Sequence, residues 1–374
     1  SLAMRSTSSL RCAFVTSSLL GWCTYYENWE SYYPTGKGLE PVWLGLWDGK
    51  ERAGVRLPSR LQSVYNRLRD RQRLRRLLSG QTYDAYFVQS SALSILPGAL
   101  FRKPVFTVLD ATQVQLCGFG EYYGLRESWL LLERYKHWRR STLYQSCSAL
   151  FPISQWCADS LVADYGVPPD RIFVHQCGTN VNTLMPEAEV KSLLSTRACR
   201  TVCNLLFVGG DFRRKGGELL LRWVRETKAM GWHLDIVTRE QFTCEHPSVA
   251  VHRDLSPMDH RLCELFRQSD LFLYPTLADC SSIVVQEAAA CAVPSIASQV
   301  GGVSDLIENG VSGWLVPPGD FGGFATILDQ LVANGEKRLC AGRAARRKAC
   351  AEFDFPKISE SIVATMLPLI ERRK

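Results

Sequence analysis

The sequence predicts an α/β protein with two doubly wound domains that face each other across a cleft. A chain of 374 residues is long for a single core. Its composition, 46% hydrophobic and 22% charged, is that of an ordinary globular protein with ample core residues. Short apolar runs alternate with helical patterns along the chain, which is typical of βαβ units and parallel sheets. Ligands of such folds bind at the carboxyl ends of the strands, so we expect the site in the cleft.

The first half contains apolar runs that we predict as strands, separated by helical patterns. The predicted strands are RCAFVT (11–16), PVWLGLW (41–47), YDAYFVQ (83–89), PVFTVLD (104–110), ALFPIS (149–154) and RIFVHQ (171–176). The predicted helices span 60–78, 126–144 and 155–165. The apolar run at 11–16 is short and is followed by Thr and Ser residues, which favours a first strand over a signal peptide.

The second half repeats this pattern after a joint near 177–190. The predicted strands are TVCNLLFVG (201–209), WHLDIVT (232–238), VAVHRDL (249–255), DLFLYPT (270–276), VPSIAS (293–298) and SGWLVPP (312–318). Two such series of strands and helices imply two separate parallel sheets.

The net charge of +7 comes from the first half of the chain. Residues 1–185 hold 21 Lys and Arg against 14 Asp and Glu, whereas the remainder is balanced at 23 against 23. This asymmetry favours a surface on the first domain that meets an anionic partner, such as a membrane face or a charged acceptor. No apolar run approaches the ~18–20 residues of a membrane-spanning helix. The 14 cysteines are scattered without a CxxC pair, so we expect reduced core cysteines in a cytoplasmic protein.

The predicted helix at 60–78 has leucines on one side and arginines around the rest. It is either a surface helix with a solvated basic face or a patch for anionic lipid. The segment WLLLERYKHWRR (129–140) adds aromatic residues beside Lys136, Arg139 and Arg140. It either extends that patch or forms a core helix with a basic outer face.

A first chemical motif is LLFVGGDFRRKGGELLLRW, residues 205–223. A buried strand leads into Gly209 and Gly210, basic residues that include Arg214 and Lys215 follow, and a second glycine pair opens a helix. Glycines let the backbone approach a ligand, and a helix N-terminus with nearby cations favours an anion such as phosphate. The spacing matches neither GxGxxG nor a P-loop, so it excludes the dehydrogenase and Walker classes. The alternative is a basic turn that faces water.

A second motif is LADCSSIVVQEAAACAVPSIAS, residues 277–298. A helix that starts at Ile283 would present the backbone N–H groups of Ser281, Ser282 and Ile283 to a second phosphate. Glu287 lies one turn further along the same stripe, where its carboxylate could bind the hydroxyls of a ribose. The alternative is that Glu287 pairs with an arginine of a neighbouring helix.

Taken together, these motifs resemble the family 4 glycosyltransferases. The segment FVGGDFRRKGG is followed by YPTLADCSSIVVQEAAACAVPSIASQVGGVSDLIENGVSGWLVPPGD in the order of that family. The first half agrees through AFVTSSLLGWCTYY (13–26), FTVLDAT (106–112), PISQWCADSLVADYGVPPDRIFV (152–174) and GTNVN (178–182). The resemblance implies the GT-B fold, with an acceptor-side domain over 1–182 and a donor-binding domain over 183–356. It also implies a final helix within 357–374 that crosses back to the first domain.

The resemblance implies a role for each residue of the donor site. Lys215 and Arg214 would hold the donor diphosphate and stabilise its charge as it leaves, beside the glycine loop of Gly209 and Gly210. Glu287 would bind the ribose, while the backbone of Ser281, Ser282 and Ile283 would bind phosphate.

Three further residues would line the place of reaction. Asp279 would face the sugar hydroxyls or the anomeric region. Gly21, at the first β–α turn, would leave room for the leaving phosphate and the acceptor. Asp110 would sit in the cleft near the sugar and the acceptor.

Some positions depart from the pattern of the family. Asp279 stands where most members have Glu, and Leu109 stands where many have His. Ser304 and Asp305 replace the more common Pro–Glu, and Gly210 replaces a phosphate-binding Arg. These departures imply either a subgroup with a donor pocket of its own or weakened activity.

The implied activity is that of a retaining, metal-independent glycosyltransferase without a cofactor, which uses a nucleotide-diphosphate sugar as donor. The leaving phosphate would take the proton of the acceptor during front-face attack. The acceptor would be a glycan, a glycolipid or a small molecule. A nucleotide-sugar epimerase and an inactive nucleotide-binding relative are the alternatives. We expect no nucleic-acid partner, and a cytoplasmic location with possible peripheral contact at the inner membrane face.

Overall fold

The computed structural model describes residues 9–17, 22–47, 59–123, 130–257 and 259–373. Its strands form two parallel sheets, one from each half of the chain. The first sheet has the order β2-β1-β3-β4-β5. These strands are β1 (Leu10–Ser17), β2 (Leu39–Trp47), β3 (Ala85–Gln89), β4 (Val105–Leu109) and β5 (Ala149–Pro152).

The second sheet has the order β11-β10-β9-β6-β7-β8, and each of its recorded strand pairs is parallel. Its strands are β6 (Cys203–Val208), β7 (Trp232–Val237), β8 (Val249–His252), β9 (Leu271–Tyr274), β10 (Ser295–Ser298) and β11 (Gly313–Val316). From β6 the chain first builds β7 and β8 on one side and then returns to place β9 on the other. The strand order therefore reverses between β6 and β9, where a doubly wound sheet opens a binding crevice.

Helices cover both faces of each sheet. In the first half they are α1 (Trp22–Tyr32), α2 (Ser59–Leu78), α3 (Ser90–Leu93), α4 (Gln113–Gly118), α5 (Leu130–Ser146) and α6 (Gln155–Ala163). From the joint onward they are α7 (Val181–Leu184), α8 (Glu187–Ala198), α9 (Gly217–Glu226), α10 (His260–Gln268), α11 (Ile283–Ala290), α12 (Phe321–Ala333), α13 (Gly335–Lys348) and α14 (Phe355–Glu371). The predicted class, two doubly wound α/β units, is confirmed.

Most predicted elements differ from the observed ones only at their ends, but the predicted strand at 171–176 is wrong. Residues 169–171 form a single 3₁₀ turn, and only Ile172 makes a bridge, to Leu150 of β5. Beyond it the backbone N–H groups of Phe173 and His175 donate to β5 carbonyls. This apolar run beside the edge strand β5 has the sequence pattern of a strand, but it makes too few ladder hydrogen bonds to be one. The predicted helix at 126–144 begins at Leu130, and residues 126–129 lie outside the described part.

The last helix, α14, packs on the first sheet rather than the second. Its buried face joins the apolar cluster formed by β1, β3, β4 and α1. The residues of that face are Phe355, Ile358, Ile362, Val363, Met366 and Ile370. Just before this helix, Thr179 and Asp354 form a parallel bridge, so two crossings between the halves run side by side.

Neither a membrane-spanning helix nor a disulfide occurs in the described part of the chain. No helix there is both long and apolar enough to cross a bilayer. The cysteines are free, and many are buried in the two cores.

Two loops of the second half meet where α9 begins. Gly216, the residue that precedes α9, has a left-handed φ of 83°. A Cβ at this position would lie 1.9 Å from the carbonyl oxygen of Pro275, which follows β9. Glycine is required here both for its backbone conformation and for the space.

We predict that Gly216→Ala destabilises the protein by at least about 3 kcal/mol, because strain at positive φ adds to the steric clash. Gly210→Ala is the matched control, since a Cβ at Gly210 meets no atom within 4 Å. Its free energy of unfolding should change by less than about 0.5 kcal/mol. Urea denaturation followed by circular dichroism measures both. Equal losses in the two variants would contradict the assigned loop contact.

Candidate functional site

The candidate site lies at the carboxyl ends of β6 and β9, where the strand order of the second sheet reverses. The loop after β6 carries the glycine–basic motif, and the loop after β9 carries Asp279. Both loops face elements of the first half. The two chemical motifs of the sequence therefore meet at this place.

The loop after β6 directs the side chains of Arg214 and Lys215 toward the interior, and the lysine side chain packs closely against Gly209. A Cβ on Gly209 would lie 3.0 Å from the Cβ of Lys215, so the glycine makes room for the lysine stem. Lys215 and Arg214 are only 16% and 18% exposed at their side chains. Gly210 and Arg213, in contrast, are exposed to solvent.

Asp279 is buried and holds both cations of the loop. Its Oδ2 accepts from Lys215 Nζ at 2.5 Å and from the hydroxyl of Tyr274. Its Oδ1 lies 3.9 Å from a guanidinium nitrogen of Arg214. Burial lowers the pKa of Lys215, and the charge of Asp279 opposes that shift. The acid therefore keeps a cation charged inside the protein.

Arg214 is fixed from several directions. It donates to the Asp211 carboxylate at 2.9 Å and to the backbone carbonyl of Ala278 at 2.8 Å. Its guanidinium carbon lies 5.4 Å from the ring centroid of Tyr123, which belongs to the first half. The Cys280 thiol also contacts the Tyr123 hydroxyl, at 3.6 Å. Tyr123 thus touches both loops of the candidate site across the cleft.

The tip of α11 presents unused hydrogen-bond donors. The hydroxyl of Ser282 caps the helix by accepting from Val285 N. The backbone N–H groups of Ser281, Ser282 and Ile283 have no recorded acceptor among the described residues. The Ser281 hydroxyl is also buried without a partner. A helix start with free N–H groups is suited to an anion.

Glu287 lies one turn into α11 and is half-buried. Its carboxylate has no hydrogen bond or ion pair within the described ranges, so the alternative of an arginine partner is wrong there. Burial raises its pKa to about 7. Next to it, Gln286 is fully buried and accepts from the N–H of Gly178 at 2.9 Å. The helix is therefore anchored to the crossing segment while its acid remains available.

The GG loop at 301–302 packs on the backbone of the acid loop. A Cβ on Gly301 would lie 2.1 Å from the Asp279 carbonyl, and Gly302 N donates to the Cys280 carbonyl at 2.8 Å. Further along, Asp305 accepts from the N–H of Gln155 at 2.6 Å. This carboxylate of the second half therefore caps α6 of the first half.

Asp110 faces this site from the end of β4. Burial raises the pKa of Asp110 to about 6, and the negative charge of Asp279 adds to this shift. Its Oδ1 accepts from the N–H of Ala111 at 2.9 Å. The two acids thus lie near each other on opposite sides of the cleft, without a recorded direct contact.

The structure brings most predicted site residues together. Lys215, Arg214 and Asp279 are in direct contact, whereas Asp110 lies across the cleft. Gly210 is exposed, and a Cβ there would meet no atom within 4 Å. Gly21 lies outside the described residues. The sequence interpretation missed Tyr274 and Tyr123. Tyr274 could have been found as a polar side chain at the carboxyl end of a buried strand, while nothing near Tyr123 in the sequence distinguishes it.

A metal centre is not evident within the described ranges, where no cluster of three or more His, Cys, Asp or Glu side chains could hold an ion. A metal-independent reaction remains a prediction.

Two family models match most of the chain between them. The model described as Glycosyltransferase Family 4 matches residues 36–183, and the model described as Glycosyl transferases group 1 matches residues 203–334. Each model corresponds to one half of the chain.

Curated relatives match over part of their length. A D-inositol 3-phosphate glycosyltransferase of Catenulispora acidiphila is 26% identical over 57% of this chain and 56% of the relative. A D-inositol 3-phosphate glycosyltransferase of Mycobacterium bovis is 34% identical over 30% of this chain and 24% of the relative. This chain therefore aligns with about half or less of each of these two proteins.

Solved structures share the fold over nearly the whole chain. Sucrose-phosphate synthase of Thermosynechococcus elongatus has a TM-score of 0.76 at 16% identity and covers 97% of this chain and 100% of its own. Anabaena HepE, solved in complex with UDP-glucose, has a TM-score of 0.65 at 16% identity, with coverage of 96% and 100%. At this level of identity the likeness concerns the fold alone.

We predict that Glu287→Gln stabilises the ligand-free protein at pH 8 but not at pH 4. The folded pKa of about 7 lies above the ordinary value of 4.5, so ionisation destabilises the folded state progressively as pH rises through this window. Glutamine removes that penalty, which we place at about 1–2 kcal/mol after discounting for partial exposure.

Thermal unfolding at pH 4 and pH 8 tests this prediction, with Glu245→Gln, at an exposed position without a recorded ion pair, as the control. The melting temperature of Glu287→Gln should exceed that of the parent only at the higher pH. An equal difference at both pH values would show that the ionisation of Glu287 is not its cause.

Proposed function

Because this chain belongs to the family 4 glycosyltransferases and has their GT-B fold, we propose that it transfers a sugar from a nucleotide-diphosphate sugar to a hydroxyl acceptor with retention of anomeric configuration. The observation that carries the proposal is the contact between the Lys215–Arg214 pair and the loop that leads to the tip of α11. Cations and free backbone donors at one place suit a diphosphate. The uncompensated Glu287 lies one turn away, where it suits a ribose diol.

The proposed reaction is a front-face displacement. The bond between the anomeric carbon and the diphosphate oxygen breaks, and a bond from the acceptor oxygen to that carbon forms on the same face. The proton of the acceptor hydroxyl passes to the departing diphosphate. Lys215 and Arg214 stabilise the negative charge that develops there, which is commonly the largest catalytic contribution. We propose no metal ion or cofactor in this step.

Asp279 positions the lysine in this proposal. Lys215 is half-buried, and without its acid partner it would lose part of its charge. The arriving diphosphate then shares Lys215 with Asp279, while the Tyr274 hydroxyl provides a second hydrogen bond to the acid. The other oxygen of this carboxylate, Oδ1, lies 3.9 Å from Arg214. We propose that this oxygen accepts a hydrogen bond from a hydroxyl of the sugar.

We also propose that the protein works at an anionic membrane face, through α2 and α5. Leu131, Tyr135 and Trp138 are exposed and spaced by four and three residues, so they form one stripe on α5. Exposed arginines of α2 include Arg71 and Arg75. An apolar stripe beside cations matches the interface of an anionic bilayer. This proposal includes a cytoplasmic location.

We predict that Lys215→Met lowers kcat/KM for the donor about 100- to 1,000-fold, because a charge-stabilising donor is lost. Glu287→Gln should weaken UDP binding about tenfold or more, because a charged hydrogen bond to the ribose is lost. Titration calorimetry with UDP and a turnover assay with a nucleotide-sugar panel measure these effects. Lys228→Met, at an exposed position without a recorded ion pair, is the matched control.

Three outcomes of this experiment would redirect the proposal. Near-normal kinetics in both variants would show that the donor does not bind at Lys215 and Glu287. Tight UDP binding without turnover would indicate an inactive relative, and conversion of the donor without acceptor would indicate an epimerase.

We predict salt-sensitive binding to vesicles of phosphatidylcholine and phosphatidylglycerol. Replacement of Arg71, Arg73, Arg75 and Arg76 by Gln should abolish it, since each basic residue near such a surface contributes about 1 kcal/mol. Trp138→Ser should weaken it at constant charge. Vesicle co-sedimentation measures binding, and vesicles of phosphatidylcholine alone are the control. An absence of binding at low salt would exclude the membrane contact.

A further inference from the structure

Tyr274 joins the cation and the acid of the candidate site through its hydroxyl. It is the last residue of β9 and is fully buried. The phenol oxygen accepts from Nζ of Lys215, and the phenol O–H donates to Oδ2 of Asp279. Nζ of Lys215 also donates to this Oδ2 at 2.5 Å and lies 4.9 Å from the centroid of the Tyr274 ring. An ammonium, a phenol and a carboxylate therefore share one buried contact.

The chemistry of the three groups fixes the direction of each bond. An ammonium has only donors, an ionised carboxylate has only acceptors, and a phenol has one O–H and an oxygen that accepts. Tyr274 must therefore accept from Lys215 and donate its single O–H to Asp279. Burial, and then the charge of Asp279, raise the pKa of Tyr274 well above its ordinary value. The phenol thus stays protonated and remains a donor at physiological pH.

The bond from Tyr274 to Asp279 becomes important when a diphosphate reaches Lys215. The ammonium then turns its hydrogen bonds from Asp279 to the phosphate oxygens. Asp279 is 6% exposed, and a buried carboxylate without a hydrogen bond is strongly disfavoured in its ionised form. The O–H of Tyr274 does not depend on the lysine, so it can hold the carboxylate during this exchange.

The other groups around Asp279 are poorly suited to this task. Besides Lys215 and Tyr274, the charged or titratable groups recorded near it among the described residues are Arg214, Asp110, Tyr123, Cys177 and Cys280. Burial raises the pKa of Tyr123 and of both thiols, so these three groups are uncharged at neutral pH. Asp110 is itself an acid, and Arg214 lies 3.9 Å away and already donates to the Asp211 carboxylate.

We propose that Tyr274 is a positioning residue of the donor site, which holds Asp279 in its ionised form while Lys215 transfers its hydrogen bonds to the diphosphate. The inference rests on the proposed donor use. With the phenol in place, the diphosphate binds without proton uptake by Asp279. Without the phenol, Asp279 takes up a proton before it releases Lys215, so the diphosphate binds less tightly as pH rises.

The first arm of the test uses Tyr274→Phe, which removes the O–H and keeps the ring that packs on Phe272 with 5.9 Å between centroids. The Kd of UDP is measured by titration calorimetry between pH 6 and pH 8.5 in the parent protein and in the variant. The ratio of the variant's Kd to that of the parent should rise with pH by up to about tenfold per pH unit, as uptake of one proton requires. Ionisation of the UDP phosphate affects both proteins alike and cancels in the ratio.

Tyr86→Phe on β3 is the matched control, since Tyr86 is also buried and belongs to the core of the first sheet. Its ratio should stay near one at every pH. A ratio for Tyr274→Phe that exceeds one but does not change with pH would show that the phenol only contributes packing, and the inference would be wrong. A ratio near one throughout would overturn it as well.

The second arm needs no ligand. Lys215→Met removes the cation from Asp279, as the diphosphate would, and Tyr274→Phe is added to it. In the double variant the buried carboxylate has lost both recorded donors to Oδ2, so its ionisation destabilises the folded state increasingly as pH rises. The fall in melting temperature from pH 5 to pH 8 should therefore be larger in the double variant than in Lys215→Met alone. Addition of Asp279→Asn should remove this excess.

The two arms separate this inference from the proposed donor use. If the parent protein does not bind UDP, the proposed donor fails, and the second arm still decides the role of Tyr274. If UDP binds, and the melting temperatures of Lys215→Met and of the double variant fall equally with pH, Tyr274 does not hold the acid and the inference is wrong, while the proposed donor stands.

Discussion

The site depends on one constraint, the close backbone contact between the loop after β6 and the loop after β9. With no side chain at Gly216, the β6 loop lies against the carbonyl of Pro275, and the distance between the two loops is fixed by backbone atoms. That contact places Lys215 next to Asp279 in surroundings where an ammonium without a partner is strongly disfavoured. The GG loop then holds the acid loop from its other side, through Gly301 and Gly302. The charges are thus located by packed backbone rather than by mobile side chains.

This arrangement also determines which anions the site can take. An anion that approaches Lys215 meets the negative charge of Asp279 as well. A singly charged anion gains little from a cation that is already compensated. A ligand with several negative charges can also use Arg214 and the tip of α11, so the attraction outweighs the repulsion. Selection for a highly charged ligand follows from placing the acid beside the cation.

The sequence was sufficient for the architecture and for the position of the second motif, since both follow from local patterns. α11 begins at Ile283 as expected, with Ser282 as its N-cap, and Glu287 lies one turn into it with no protein partner within the described ranges. The contacts that depend on the relative placement of the halves could not be predicted. Tyr123 against Arg214 and Asp305 on the N-terminus of α6 join residues far apart in the chain.

The wrong prediction of a strand at 171–176 has a local cause. The run lies beside β5 but forms a single bridge to it, and Phe173 and Val174 are exposed, so an apolar pattern alone does not create a strand. Lys215 and Asp279 were both identified as site residues, but their direct contact was not predicted. The sequence does not show that β6 and β9 are neighbours in the sheet. A cavity next to Asp110, lined by residues between Arg67 and Tyr144, could not be predicted from the sequence either, because its walls come from elements that are far apart in the chain.

The packing of α14 has a consequence for the order in which the protein is made. The core of the first sheet contains Phe14 and Trp29 from the start of the chain and Met366 and Ile370 from near residue 373, the last one described. A ribosome synthesises all eleven described strands before it completes the helix that covers this apolar face. The first half therefore completes its apolar core only after α14 has been synthesised and released, and the aromatic surface that this helix covers stays exposed until then.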